Sequence, residues 1–363
     1  MRNLLALVLT VLVAATTFSA WTFGWFEHLK VWAWFPPALV VVLIFLPTSL
    51  LSRRVYFRWL AILNILSAVA VGFLSFFLLA ALVSWAALAV VRMAGLGTDS
   101  APIATVAYLG AALLGCAGLF SAYRLRLTRV TIPLAHLPRF WAGRTIALVS
   151  DLHLGNLRGA AFSGRVVSRL SQLGAECVLV GGDMFDGVKT NVARAVGPWA
   201  DLKAPSGVFF VGGNHDDYGG RRGYFAALRH VGLRELANEK VELHGIQLVG
   251  VHDGETHRPD TFKAILDKAD LDANRPSILL AHRPENLEVP ERAGIDLQLS
   301  GHTHGGQFWP WTHIARRVHG QFAQGLARFG RMQVFTSTGA GTWGPPFRLG
   351  TRAEIVLIRL EPA

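Results

Sequence analysis

Up to about residue 123 the chain shows almost no alternation of apolar and polar positions. Four apolar stretches, 4–26, 31–51, 59–91 and 102–123, are broken only by short polar turns. Each is long enough for a helix crossing a hydrocarbon core, which takes about 20 residues. The third would run roughly 50 Å as a helix at about 1.5 Å per residue, long for one crossing and barely enough for two. Pro36 and Pro37 stand near the start of the second, where a bend or a late helix start is tolerated. Charges and strand-like alternation return in "RLRLTRVTIPLAHLPRFWAGR", residues 124–144. Short apolar runs then recur at 145–150, 177–181, 207–211, 247–251, 277–280, 296–299, 333–336 and 354–360. Turn signals and amphipathic helical stretches such as 163–173 separate them. The pattern predicts an all-α transmembrane region of about four helices over 1–123, a linker and first strand over 124–144, and an α/β domain over 145–363.

Composition sharpens this division. The chain is 52% hydrophobic and 16% charged, too apolar for one soluble domain of ordinary make-up. Of its 35 basic and 24 acidic residues, six and two precede residue 124, leaving 29 and 22 for the remainder. The apolar stretches carry no internal ionisable residue, so they read as an anchor rather than an ion pathway. With four crossings, Arg2, Arg53, Arg54, Arg58, Arg124, Arg126 and Arg129 share one side, against Lys30 and Arg92 on the other. That bias predicts both termini and the α/β domain on the cytoplasmic side. Cys116 lies in an apolar stretch and Cys177 in a predicted strand, which implies no disulfide framework and fits a reducing compartment.

The residues that come just after the apolar runs are more specific. Run 145–150 leads into Asp151 and His153, run 177–181 into Asp183 and Asp186, and run 207–211 into Asn214, His215 and Asp216. His282 comes after run 277–280, and His302 and His304 after run 296–299 within "SGHTHGGQ". Ligand-competent side chains therefore recur at the C-terminal ends of strands, where α/β folds gather their sites. Asp151, His153, Asp183, Asn214, His282, His302 and His304 form a carboxylate, imidazole and amide set without sulfur. Such a set suits Mn²⁺, Fe or Zn²⁺. Seven ligands exceed one tetrahedral ion but suit two ions sharing a carboxylate, a geometry that serves in-line displacement at phosphorus. An H-x-H-x-D-H run, a Ser nucleophile elbow and a P-loop are all missing from the sequence.

The ordered motifs "DLH", "GDMFD", "GNHD", "LAHRPE" and "SGHTHGGQ" resemble those of the calcineurin-like metallophosphoesterases over roughly residues 128–360. The closing "GTWGPPFRLGTRAEIVLIRL" resembles the membrane-attached bacterial branch, which includes enzymes similar to UDP-2,3-diacylglucosamine pyrophosphatases. The resemblance implies a four-layer α/β/β/α sandwich. It implies a first metal on Asp151, His153, Asp183 and His304 and a second on Asp183, Asn214, His282 and His302, with Mn²⁺ favoured over Fe or Zn²⁺. The nucleophile would be a metal-bridging hydroxide. His215 would protonate the leaving oxygen or stabilise phosphoryl charge, with Asp216 to orient it.

Other residues carry weaker signals. Asp186 reads as a loop support or a hydrogen-bond partner of a ligand, or equally as an N-cap or turn residue, and His252 with Asp253 as a plain turn ahead of a lining of the pocket. Arg158, Arg221, Arg222 and Arg283 could clamp a phosphate, but each reads first as a solvated surface charge. The expected protein is an integral protein of a bacterial inner membrane, in contact with its lipid bilayer. It would hydrolyse phosphoester or pyrophosphate bonds of a phosphorylated small molecule or lipid-linked substrate. The alternatives are a general phosphodiesterase acting on soluble nucleotides and a metal-binding scaffold without turnover. No nucleic acid partner is expected, because no basic-aromatic platform is visible.

Overall fold

The computed structural model of the chain describes residues 2–27, 35–96, 99–188, 191–218 and 220–363. It forms two compact units, Met1–Ser121 with Gly344–Phe347, and Ala122–Trp343 with Arg348–Ala363.

The first unit is built from helices Arg2–Phe26, Phe35–Ser52, Arg58–Met93 and Ala101–Tyr123. Three segments, Leu7–Phe26, Arg58–Met93 and Ala101–Tyr123, are long and apolar enough to cross a membrane, while Ala38–Ser52 is a shorter apolar helix. Lys30 and the first residues of the expected second span, 31–34, lie outside the described residues. Pro36 and Pro37 fall in the first turn of the helix that starts at Phe35, where a missing N–H costs nothing. The long third stretch is one uninterrupted helix of 36 residues rather than a folded-back pair. Polar contacts tie it to its neighbours: Trp85 Nε1 donates to Thr22 Oγ1 (3.0 Å), and Asn64 Nδ2 to Ser49 Oγ (2.8 Å). The apolar surface of these helices continues outward through exposed residues such as Val83, Val106 and Leu113.

In chain order the strands of the second unit are β1 (Leu125–Leu134), β2 (Thr145–Val149), β3 (Cys177–Gly181), β4 (Val208–Val211), β5 (Arg234–Glu235) and β6 (Glu239–Leu243). They continue with β7 (Ile246–Val251), β8 (Ser277–Ala281), β9 (Leu297–Ser300), β10 (Gly325–Phe329), β11 (Met332–Thr336) and β12 (Ala353–Pro362). One six-stranded sheet has the order β1-β12-β2-β3-β4-β5, the other β10-β11-β9-β8-β7-β6. The centre of each sheet is parallel: β2, β3 and β4 in the first, β7, β8 and β9 in the second.

Alternation along each central strand sends successive side chains into different layers. Ile146, Leu148 and Leu179 point into the layer shared with Leu248, Leu280 and Leu299 of the opposite sheet. Ala147, Val149 and Val180 point the other way, onto Val166 and Leu170 of the helix Ala160–Leu173. On the far side, Val249, Val251 and Leu279 meet Phe262 and Leu266 of the helix Pro259–Ala269. Both faces of the central strands are thus buried, which is why they read as continuous apolar runs. The result is the expected α/β/β/α layering. The eight expected strands are present with ends shifted by a residue or two, and β1 pairs along its whole length with β12. The segments that form β5, β6 and β10 carry no such signal. They are edge or near-edge strands with mixed burial, so their sequences keep polar residues.

Truncating a side chain in the layer between the sheets removes buried contacts from both. Leu280→Ala is expected to cost about 2–5 kcal/mol. Chemical denaturation of the full chain, followed by tryptophan fluorescence, measures it; an unchanged midpoint would contradict this packing.

Candidate metal centre

The C-terminal ends of β2, β3, β4, β8 and β9 deliver every expected ligand to one edge of the two sheets. The chain turns sharply there. Asp151, His153, Asp183, His302 and His304 all have left-handed backbones, with φ between 50 and 70°. Such conformations cost about 1–3 kcal/mol each for a residue with a side chain, and concentrate where a site demands them. Two glycines allow the turns to close over the carboxylates. A Cβ on Gly213 would lie 2.2 Å from Asp183 Oδ1, and one on Gly301 2.3 Å from Asp151 Oδ2.

The donor atoms fall into two groups, each drawn together within 4.8 Å: Asp151 with His153 and His304, and Asp183 with His282 and His302. In the first, His153 Nε2 and His304 Nε2 are 3.1 Å apart, and His304 Nε2 is 3.6 Å from Asp151 Oδ1. Asp183 Oδ2 stands between the groups, 3.1 Å from His282 Nε2 and 3.8 Å from His153 Nε2. Asn214 Oδ1 is buried with no hydrogen-bond partner. A buried polar atom left in this state implies something that binds it. Two inward-facing imidazole nitrogens, an orphaned amide oxygen and a shared carboxylate suit divalent cations at both groups.

Hydrogen bonds behind the ligands set which atom faces inward. His282 Nδ1 donates to the Gly181 carbonyl (2.8 Å), which leaves Nε2 with the lone pair when the ring is neutral. His153 Nδ1 donates to Asp186 Oδ1 (3.2 Å), with the same effect. Arg348, fully buried, donates through Nη2 to His304 Nδ1 (3.1 Å) and through Nη1 to the His304 carbonyl (3.1 Å). A neutral His304 ring then carries its proton on Nε2, the nitrogen that faces His153 Nε2 (3.1 Å). The backbone N–H of His215 donates to Asp183 Oδ1 (2.8 Å), and that of His302 to Asp151 (3.1 Å to each oxygen).

These neighbours set the charge states of the ligands. Burial disfavours the Asp183 carboxylate, but His282 and His153 outweigh it and hold its pKa far below the usual range. Burial likewise opposes a charged His282, yet the Asp183 carboxylate wins and raises that pKa to about 10. Burial is outweighed at His153 too, by the Asp186 hydrogen bond and the Asp183 charge, and its pKa rises. Asp151 is pushed up by burial. Burial with the His282 charge lowers His302 to about 2, and burial with the Arg348 charge drives His304 well below its ordinary value.

His215 lies beside both groups, its ring 4.9 Å from that of His153. Asp216 does not orient it. The Asp216 carboxylate turns away and accepts from the Gly213 and Phe185 backbone N–H groups (2.9 Å each), pinning two strand-end loops together. The acid beside His215 is Asp186, whose Oδ1 is 3.8 Å and carbonyl oxygen 3.5 Å from His215 Nδ1. Asp186 therefore hydrogen-bonds the expected ligand His153, one of the roles read from sequence, and stands beside His215 as well.

Other weak readings also change. His252 is buried, not a surface turn residue: its Nδ1 accepts from the Gly212 N–H (2.8 Å), two residues before Asn214. Asp253 is buried and accepts from Arg283 Nε (2.8 Å). Arg158 is only 2% exposed and donates to the Ala122 carbonyl and Thr342 Oγ1, so it is no solvated charge. Arg221 approaches Asp217 (3.7 Å), and Arg222 is exposed. Arg348 escapes sequence reasoning altogether, because nothing local marks an arginine 44 residues from its histidine as a partner.

Comparison with known proteins gives a family and several relatives. A family model described as calcineurin-like phosphoesterase matches residues 144–306. An uncharacterized metallophosphoesterase of Helicobacter pylori (strain J99) is 37% identical over 221 residues, 60% of each chain. A protein of Danio rerio named transmembrane protein with metallophosphoesterase domain is 32% identical over 271 residues, 69% of this chain and 61% of that one. An uncharacterized metallophosphoesterase of Aquifex aeolicus is 30% identical over 260 residues, 69% of this chain and 97% of that one. The match spans about 60% of the length of the first two.

Because a metal must displace the protons held on His282 and His153, affinity for Mn²⁺ is expected to rise from about pH 6 to about pH 8. Arg348→Met is expected to weaken binding about 10–100-fold by freeing the His304 ring. Calorimetric titration of the metal-stripped full chain measures both; affinity independent of pH and of Arg348 would contradict the assignment.

Proposed function

The chain belongs to the calcineurin-like metallophosphoesterases, and from that premise we propose that it is a membrane-anchored, two-metal phosphohydrolase. The observation that carries this reading is the position of Asp183 Oδ2 between two ligand groups, within 4 Å of an imidazole of each. Asp151, His153, Asp183 and His304 would hold one ion, and Asp183, Asn214, His282 and His302 the other, with Mn²⁺ the proposed metal. Two divalent ions, when bound, supply an activated water and positive charge against the phosphoryl oxygens.

The chain's own residues do the rest. Asp183 and Asp151 are held rigid by backbone N–H donors, so the reacting phosphorus meets a fixed frame. Burial and the nearby His153 lower the pKa of His215 to about 4, so its resting ring is neutral. A bound phosphate brings negative charge that favours the protonated ring, which then gives its proton to the departing oxygen. Asp186 orients that ring from the Nδ1 side. Asp216 fixes the loops that carry Asp183 and Asn214.

Residues 1–123 are read as the anchor, 124–144 as the connection and first strand, and 145–363 as the catalytic domain. Three helices that could span a membrane support attachment; with the shorter apolar helix Ala38–Ser52 as a fourth crossing, the arginine bias favours a cytoplasmic site in a bacterial inner membrane. Attachment confines the enzyme to the surface where amphiphilic substrates lie. It favours a lipid-linked phosphoester or pyrophosphate, of which a UDP-diacylglucosamine type is the sharpest version.

The test uses the purified full chain with Mn²⁺ and two substrates, a chromogenic phosphodiester and a lipid-linked nucleoside diphosphate. Asp183→Asn is expected to abolish turnover of both, and His215→Asn to lower kcat by about 10²–10⁴ with metal content retained. Faster cleavage of the soluble diester than of the lipid would favour the nucleotide phosphodiesterase instead. No turnover of either by the metal-loaded chain would overturn the enzymatic reading.

A further inference from the structure

The loop that carries His302 and His304 runs directly into Trp309, a cis Trp309–Pro310 bond and the helix Trp311–His319. Trp311, Ile314 and Val318 are spaced i, i+3 and i+7, so they lie on one side of that helix. They are not buried there. Trp311 is 46%, Ile314 52% and Val318 70% exposed, with Trp309 at 40% just ahead of them. Only Ala315 on this helix is buried. A sequence that folds a soluble surface has no reason to place two tryptophans, an isoleucine and a valine side by side in water.

Arginine dominates the chain segment around this face, although Glu285, from a preceding loop, acts on His319 at the end of the helix. Between Asp296 and Glu354 the chain has no acidic residue, yet it carries Arg316, Arg317, Arg328, Arg331, Arg348 and Arg352. All but Arg348 are exposed, and Arg316 and Arg317 belong to the helix itself. An apolar strip with tryptophan, flanked by the arginines of its own helix and with no acid on that helix, is the composition of a helix lying in the headgroup layer of an anionic bilayer. A soluble protein partner for such a face would need an apolar patch ringed by acids. A bilayer is the partner that a chain with three potential membrane-spanning helices among its described residues would already meet.

We propose that the helix Trp311–His319 and its Trp309–Pro310 turn form an interfacial element that sinks its Trp311–Ile314–Val318 face into an anionic lipid surface. Arg316 and Arg317 stay among the headgroup phosphates. The inference rests on the membrane attachment proposed above. Its consequence is local: Gln307, one turn before the helix, exchanges hydrogen bonds with the backbone of Trp343 (2.8 and 3.1 Å), whose ring stands 5.8 Å from that of His215. Lipid contact at the helix therefore acts on the wall of the site, and the amphiphilic substrate enters from the headgroup layer.

Site-directed spin labelling of the full chain in vesicles of phosphatidylethanolamine and phosphatidylglycerol tests this. Native Cys116, exposed on the Ala101–Tyr123 helix, carries the control label, since Cys177 is buried. In a Cys116→Ser background, Ile314→Cys, Val318→Cys and Arg316→Cys carry the others. Labels at 314 and 318 are expected to relax at least severalfold more with oxygen than with a water-soluble nickel chelate, and the label at 316 to show the reverse. That contrast should weaken in vesicles lacking phosphatidylglycerol. If the Cys116 label is lipid-immersed but 314 and 318 match 316, the interfacial helix is overturned and attachment stands. If the Cys116 label is also in water, attachment itself fails. If 314 and 318 are immobilised alike in detergent and vesicles, the face meets another protein copy, which also overturns the proposal.

Discussion

Two carboxylates, Asp151 and Asp183, are buried at the edge of the sheets within reach of four imidazoles, and the second unit is arranged around that fact. A carboxylate removed from water costs several kcal/mol unless compensated by charge and hydrogen bonds. Here the compensation comes from backbone N–H groups, from imidazoles, and from the cations that the donor set suits. Each requirement propagates outward. The N–H groups of His215 and His302 reach the carboxylates only because the chain turns in left-handed conformations. Those turns close only because Gly213 and Gly301 lack a Cβ.

The two sheets carry this strain. Five parallel strands end at one edge, and their side chains lock into three apolar layers that leave each strand no freedom to slide. Rigid strands place the ligands; the loops supply only the sharp turns. Behind them a second ring of partners fixes the rings: Gly181 for His282, Asp186 for His153, and Arg348 for His304. His252 holds Gly212 in turn, close to Asn214. A positive guanidinium against His304 and a negative carboxylate against His153 set neighbouring ligands in opposite electrostatic surroundings.

Much of this is legible in the sequence, for a physical reason. A ligand must follow the end of a buried strand, so an apolar run and then a polar, metal-competent residue mark the site at five places. The long apolar helices are legible because their hydrophobicity runs unbroken for about 20 residues or more. What sequence does not reveal depends on contacts between distant segments. Asp216 reads as the orienter of His215 because it is adjacent; the chain turns it toward Gly213 and Phe185, and Asp186 takes the place. Arg158 reads as a surface charge and Arg348 carries no signal, until the fold buries both. The strands β5, β6 and β10 escape notice because edge strands keep polar residues.

The central claim is that Asp183 joins two ions into one centre. Low-temperature electron paramagnetic resonance of the Mn²⁺-loaded full chain tests it most directly. The account predicts the broad spectrum of an exchange-coupled pair at two ions per chain, giving way in Asp183→Asn to the six-line pattern of isolated Mn²⁺. Isolated six-line Mn²⁺ in the unaltered chain at every loading would contradict it.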